Sequence, residues 1–394
     1  MAVKGVFASD SGIQQNRKGD FASALLQYEP QGSAPMLALT AGMKSVDAGD
    51  TVVTWFEENR ITGRCNVTNN ATTGTSFVLD DASAVVAGQY YIVETTGEYV
   101  YIESVSGSTA TVTRALADTT NTTINGSVTP VPIQLIGTAH EEGSSKPESY
   151  ANVGFPVWNY MQIFRDPWDV TGTAKAVDFY TGDVIAKNRR DASVYHAEAI
   201  ERSLLWGRQS IGTRNGKPWR MMDGVITQIR KRQNVSGAVT SESAGTKWSE
   251  LDAFLMAVFS NNIKGAPNER IAFGDNTVLS VLGSIARLNG VIELTTGQTE
   301  FGMNVTKWIT PYGAISVLTH PLMNEMAAFR GDLYLIHPAG VTTRYLRRTF
   351  EDTMDGMSGN DAEFGVYTTE MCVEYKGART GGIYEGMSVA AAEA

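Results

Sequence analysis

The sequence predicts an α+β fold carrying a small inserted all-β domain, on three observations. A helical pattern runs from about Ala174 to Trp206 with no proline inside it. Residues 61–130 hold four short alternating runs and contain 15 Thr, no Lys, two Arg and six acids, unlike either flank. Mixed helical and strand patterns fill the rest of the chain, and no repeat of about 20–50 residues recurs.

Composition bounds the function classes. The chain has 394 residues, 42% hydrophobic and 9% aromatic, which supports packed cores and argues against global disorder. Lys plus Arg is 32 against 42 Asp plus Glu, a formal charge of −10, and no long basic block occurs, so a general nucleic-acid coat is excluded. No stretch approaches the ~20 apolar residues of a membrane-spanning helix. The opening MAVKGVFASDSG lacks the apolar core of a secretory signal. Cys65 and Cys372 stand far apart, matching neither a metal motif nor a disulfide framework, and read as unpaired thiols of a reducing compartment.

Residues 1–49 read as a polar arm with one short helical stretch, Phe21 to Tyr28, cut off by Pro30, Gly32 and Pro35. Residues 50–58 alternate and are β-branched and aromatic, which predicts a strand. The Thr-rich block then gives strands at Ser76–Asp80, Tyr90–Glu94, Tyr99–Val105 and Thr109–Arg114, with turns at Thr95-Thr96-Gly97 and Ser106-Gly107-Ser108. Alternation puts Val100 and Ile102 on one face and Tyr99 and Tyr101 on the other. A strand at Ile133–Ile136, a polar tip at 139–154 and a strand at Asn159–Val170 predict a long hairpin interrupted by the β-module.

Thr173 is a plausible N-cap for the long helix, with a stripe through Val177, Val184, Ala192, Tyr195 and Ala199 and a stop at Gly207. Gly182 weakens the first turns, so the regular part begins near Asp183. Tyr195 and Ile200 are expected to face the chain's own sheet. A polar loop, RQSIGTRNGKP, precedes Trp219. Further helices are expected at 247–261 and 277–288. Further strands are expected at Asn304–Thr310, Ala314–Thr319, Asp332–Ile336 and Met371–Tyr375.

The search for chemistry finds none. His140, His196, His320 and His337 make no two-histidine metal spacing, so no metal and no cofactor is expected. No G-x-S-x-G elbow occurs. The stretch from Gly212 to Pro218 is one residue short of a phosphate loop, and Pro218 stands where a Mg²⁺-binding hydroxyl belongs. Acid pairs such as Glu57/Glu58 and Glu351/Asp352 read as solvated faces, and Arg230-Lys231-Arg232 reads as a surface or inter-subunit patch. No catalytic residue is assigned, and the chain is not expected to be an enzyme.

The order of parts resembles the major capsid proteins of tailed bacteriophages, the Hong Kong 97-type fold, in the subfamily with a β-module in the extended loop. GEYVYIESVSGSTATVTRAL, HEEGSSKPESY, NYMQIFRDPWDVTGTAKAV and TTEMCVEYKGARTGGIYEGM carry the likeness, which covers most of the chain from about residue 50. The resemblance implies an N-terminal arm at 1–49 and an extended-loop hairpin at 50–65 and 131–172. It also implies an inserted β-module at 66–130, a P-domain at 173–265 and 340–394 with a spine helix at 174–206, and an A-domain at 266–339.

It further implies a shell subunit that self-assembles as hexamers and pentamers into the icosahedral capsid enclosing a tailed phage's double-stranded DNA. Assembly would take place in the host cytoplasm, and the product would be the virion. Partners implied are copies of itself, scaffold, portal and minor or decoration proteins, and packaged DNA held non-specifically, with no membrane. Glu141, Glu142, Lys146 and Arg165 are the expected inter-subunit contacts, and Arg17, Lys18, Arg189 and Arg190 the expected inner-face charges. Three rivals stand beside this reading: the shell of a bacterial encapsulating nanocompartment, an extracellular or tail adhesin suggested by the Thr-rich strands, and an enzyme with an unrecognised site.

Overall fold

The computed structural model describes residues 44–388, apart from 59–60, 180–181, 233–235, 239–245, 290–294, 301–302 and 356–360. The expected arm helix, Arg17 and Lys18 lie outside the described residues. The chain forms two compact units, Phe56–Val157 and the remainder.

The chain enters through β1 (Ser45–Asp47) and β2 (Val52–Glu57). The Phe56–Val157 unit follows: β3 (Arg64–Val67), β4 (Asn70–Ala71), β5 (Ser76–Val78), β6 (Gln89–Val93), β7 (Tyr99–Ser106), β8 (Thr109–Leu116), β9 (Ile124–Asn125) and β10 (Val131–Thr138). Six of these make one sheet in the order β3-β10-β6-β7-β8-β5, and β4 pairs with β9. Strict alternation explains the sheet: Tyr91, Val93, Val100, Ile102, Ala110, Val112 and Ile133 point inward and close a core with Phe77 and Val67.

The predicted hairpin partner of Ile133–Ile136 is therefore corrected. That stretch belongs to β10, which pairs antiparallel with β3 and β6 and not with the strand at 159–170. The reason is burial: Val131 and Ile133 belong to the core of this sheet. The predicted boundaries at 66 and 130 move outward with it, because Arg64–Val67 and Val131–Thr138 are strands of the same sheet.

The chain leaves this unit by β11 (Phe155–Tyr160), which pairs with β2. The Met161 amide donates to the Thr51 carbonyl at 2.9 Å, and Gly154 lies against the Glu57 carbonyl, so β2 and β11 run antiparallel. Next comes β12 (Gln162–Thr171), then the short helix α1 (Gly172–Ala176). The expected spine helix at 174–206 is also corrected: the long helix is α2, Val184–Trp206. Gly182 takes a left-handed φ of 89°, which ends any continuous helix before it, and the Asp183 side chain then caps α2 by accepting from the Ile185 amide at 2.9 Å.

The buried stripe of α2 runs through Ala192, His196, Ile200 and Leu204, at a spacing of four. Ile200 faces inward at 3% exposure, whereas Tyr195, expected to face the sheet, is 60% exposed. His196 takes the inward position because both its ring nitrogens find partners there.

Beyond α2 the elements are β13 (Ser210–Arg214), β14 (Lys217–Met221), α3 (Val225–Arg232), β15 (Ser236–Ala238), α4 (Trp248–Phe259), β16 (Glu269–Gly274), α5 (Asn276–Asn289), β17 (Thr295–Glu300), β18 (Met303–Ile309), β19 (Ala314–Thr319), α6 (Pro321–Glu325), β20 (Leu333–Ile336), β21 (Val341–Asp355), β22 (Ala362–Tyr375) and β23 (Gly382–Glu385). One sheet has the order β1-β21-β22-β12 and packs α2 through Trp168, Val170 and Ala192. A seven-stranded sheet, β15-β23-β20-β16-β19-β18-β17, packs α4 and α5 through Leu251, Leu255, Val281 and Ile285 against Ala272, Val317 and Leu335. It takes in β15 and β23, both outside the stretch 266–339 expected to form that body.

Candidate functional site

Three histidines expected to be bland are buried and partnered. His196 Nδ1 lies 2.6 Å from Asp166 Oδ2, and Nε2 lies 2.7 Å from Thr369 Oγ1, which in turn meets Thr349 Oγ1 at 2.8 Å. Carboxylate, imidazole and hydroxyl stand in the order of a catalytic triad. Thr369 is wholly buried, however, so no substrate reaches its hydroxyl. The cluster ties α2 to β12, β21 and β22. His320 Nε2 meets Glu201 Oε1 at 2.7 Å with both side chains fully buried, joining α2 to the end of β19. His337 meets Asn262 at 2.9 Å, and burial, followed by the charge of Arg270, pushes its imidazole down to about 4. Among the described residues no group of three or more His, Cys, Asp or Glu could hold a metal ion.

The predicted contact residues separate by location. Glu141, Glu142 and Lys146 lie in an unbroken run of exposed residues from Thr138 to Val153 with no helix or strand beyond β10. Tyr150 and Val153 expose apolar surface in the same run, at 45% and 81%. Arg165 is exposed on β12 opposite Thr368. Arg189 and Arg190 are both exposed on α2, but Arg189 is not a free cation. It forms two hydrogen bonds to Glu351, at 2.9 and 2.5 Å, and stacks 5.6 Å over the Trp168 ring. Those bonds hold the Glu351 carboxyl below the usual carboxylate range.

Sequence reasoning missed one surface. The stretch taken for a polar loop is a hairpin, β13 and β14 joined by Asn215-Gly216 with φ of 51° and 73°. Asn-Gly is the residue pair that favours this turn, so the signal was present. The hairpin base is closed by the Gly224 amide on the Gly207 carbonyl at 2.9 Å and by the Gln209 amide on Asp223 at 2.7 Å. Ile211, Trp219 and Met221 on it are 55%, 42% and 38% exposed.

The fold is that of a capsid protein: the solved capsid of an empty GTA particle aligns with 97% of this chain and 98% of its own at TM-score 0.51 and 9% identity. The family model for the SU10 major capsid protein matches residues 8–388, and the chain belongs to that family. A curated major capsid protein from Pseudomonas phage PaMx41 is 28% identical over 366 residues, covering 92% of this chain and 84% of that one. The SrpI encapsulin complex from Synechococcus elongatus PCC 7942 aligns with 60% of this chain and 78% of its own, at TM-score 0.43 and 12% identity. The family is structural, so the enzyme and adhesin readings fall away.

Proposed function

We propose that this major capsid protein closes, as hexamers and pentamers, into the icosahedral shell around the double-stranded DNA of a tailed phage. The observation that carries this is the family match over residues 8–388. Assembly takes place in the host cytoplasm with scaffold, portal and minor or decoration proteins, and DNA is held by confinement without base contacts. Residues 1–49 serve as the arm and α2 as the spine helix. Much of 173–265 and 340–394, α2 included, forms the P-domain, and 266–339 belongs to the A-domain together with β15, α4 and β23, which share its sheet and core. Arg17, Lys18 and Arg190 face the packaged DNA, while Arg189 is spent on Glu351. Arg165 lies at an edge between copies.

The β-rich Phe56–Val157 unit is an insertion in the extended loop and projects outward. Its own core and the antiparallel β2 and β11 at its ends support this, as does its acidic balance, which is ill suited to facing packed DNA. The exposed run holding Glu141, Glu142 and Lys146 lies on a neighbouring copy, because it is exposed throughout its length from Thr138 to Val153. Electron microscopy of the purified chain tests the reading: closed shells support it, and fibres or dispersed monomers at capsid-forming concentrations overturn it.

A further inference from the structure

We infer that a cavity at the C-terminal end of α2 binds a small carboxylate carried on an aromatic body. The cavity lies within a single copy, so its occupancy does not depend on shell closure. It holds about 370 Å³ and is lined by Trp206 at the end of α2, by Arg208 and Gln209 before β13, and by Arg230 and Lys231 on α3. That volume falls in the range of about 300–1,000 Å³ typical of small-molecule sites. One wall is apolar. The rings of Trp206 and Phe329 stack there, 4.8 Å between centroids and 6° between planes, and Ile226 adds buried aliphatic surface.

The polar wall offers donors, because its acids are already met. Among the described residues Asp223 is the one carboxylate lining the cavity. Its Oδ1 accepts from the Gln209 backbone amide at 2.7 Å and its Oδ2 from the Lys231 ammonium. Arg230 pairs with Glu385. Asp332, which feels the Arg230 charge, accepts from the Tyr334 hydroxyl at 2.9 Å and the Gly386 amide at 3.1 Å. Two donors are left over. The Arg208 guanidinium has no ion-pair partner among the described residues, and the Gln209 side-chain Nε2 is buried without a hydrogen-bond partner. A buried donor without an acceptor is destabilising, and an anion that reaches both groups is its complement. One unspent positive charge matches one carboxylate. A phosphate would bring a second negative charge with no cation left to meet it, so a nucleotide is the weaker occupant. The basic run at 230–232 is thereby divided: Arg230 and Lys231 line the cavity, while Arg232 lies 5.5 Å over the Trp55 ring.

The test uses the full chain and two probes of one shape, indole-3-propionate and its uncharged amide. Isothermal titration calorimetry is expected to show one saturable site per chain that binds the acid about tenfold or more tighter than the amide. Arg208→Gln should remove that preference, and Gln209→Leu should weaken both probes. Arg208 is exposed, so its replacement leaves the fold intact, which circular dichroism checks. Lys264→Gln, which removes an exposed cation outside the cavity, should leave both affinities unchanged. Saturating acid should also raise the melting temperature of the parent chain but not that of Arg208→Gln. Equal affinity for acid and amide, no saturable binding of either, or an acid preference that survives Arg208→Gln would overturn the site. Tighter binding of a deoxynucleoside monophosphate than of the acid would overturn the carboxylate assignment. Closed shells from a chain that binds neither probe would sink the cavity's role and leave the shell reading standing.

Discussion

Arg114 and Glu98 form a two-pronged ion pair inside the Phe56–Val157 unit, with Nη2–Oε2 at 2.7 Å and Nε–Oε1 at 2.9 Å and both side chains buried. Arg114 also donates to the carbonyls of Ala71, Thr72 and Thr122, so one guanidinium ties β8 to β4 and to the loop before β9. Arg114→Ala leaves a buried carboxylate unpaired and is expected to cost about 3–5 kcal/mol. Urea unfolding of the full chain should show it, with the Arg114→Ala, Glu98→Ala double variant losing less than the sum of the two singles. Strict additivity would mean the pair is not coupled.

Two groups give the stability a pH dependence in separate windows. Burial alone would raise the Glu98 carboxyl. The hydrogen bonds from Arg114 and from the Thr122 and Ala115 amides, with the Arg114 charge, outweigh it and hold the group below the usual range. Its contribution is present above the unfolded carboxylate value of about 4.3 and is lost as pH falls through the lowered folded one. His337, pushed down to about 4, contributes fully above the unfolded value of about 6.5 and progressively less from there down to about 4. Melting temperatures should therefore fall first between about pH 6.5 and 4, then again in more acid solution. His337→Leu should flatten the first step and Glu98→Gln the second.

The buried stripe of α2 makes opposite demands on neighbouring positions. Ile200→Ala is expected to cost about 2–5 kcal/mol, since the side chain is almost wholly enclosed. Tyr195→Ala is expected to stay within about 0.5 kcal/mol in the isolated subunit. Denaturant midpoints of the two variants, measured before assembly, decide it.

The antiparallel pairing of β2 with β11 makes the β-rich unit removable. Replacing Glu58–Val153 by an Asn-Gly turn should leave β2 and β11 as a simple hairpin and the rest of the chain folded, judged by circular dichroism and a single unfolding transition. By microscopy, shells closing with lower surface relief would support the outward placement. Density for the unit on the inner surface of intact shells would refute it.

Local pattern was legible in this chain and long-range pairing was not. The strands at 76–78, 89–93, 99–106 and 109–116 follow from alternation, which is a property of each segment alone. Which strand β10 joins is decided by a core shared with residues 64–67 and 89–93, and nothing in Val131–Thr138 itself names those partners. Strand β21 was passed over because Arg344, Arg347, Arg348, Glu351 and Asp352 hide its alternation. Two of these charges are met across the sheet, Arg344 by Glu374 at 2.5 Å and Arg347 by Glu370 at 2.8 Å, and Glu351 is met by Arg189 on α2. At the candidate surface, the exposed acidic run was readable from its composition. The β13–β14 hairpin went unread because its polar residues and glycines look like a loop until the Asn-Gly turn is given weight.

The burial of Arg114 also sets what a digestive enzyme can do to this chain. Between Arg64 and Arg165 only Arg114 and Lys146 carry the side chains that trypsin cuts after. Arg114 is 2% exposed in its side chain, and Lys146, though open to solvent, is followed by Pro147, which blocks cleavage. Exposed loop tips are ordinarily where nicking begins. Here the longest exposed run among the described residues offers trypsin no usable bond, so the stretch between Arg64 and Arg165 is expected to survive that enzyme as one uncut piece.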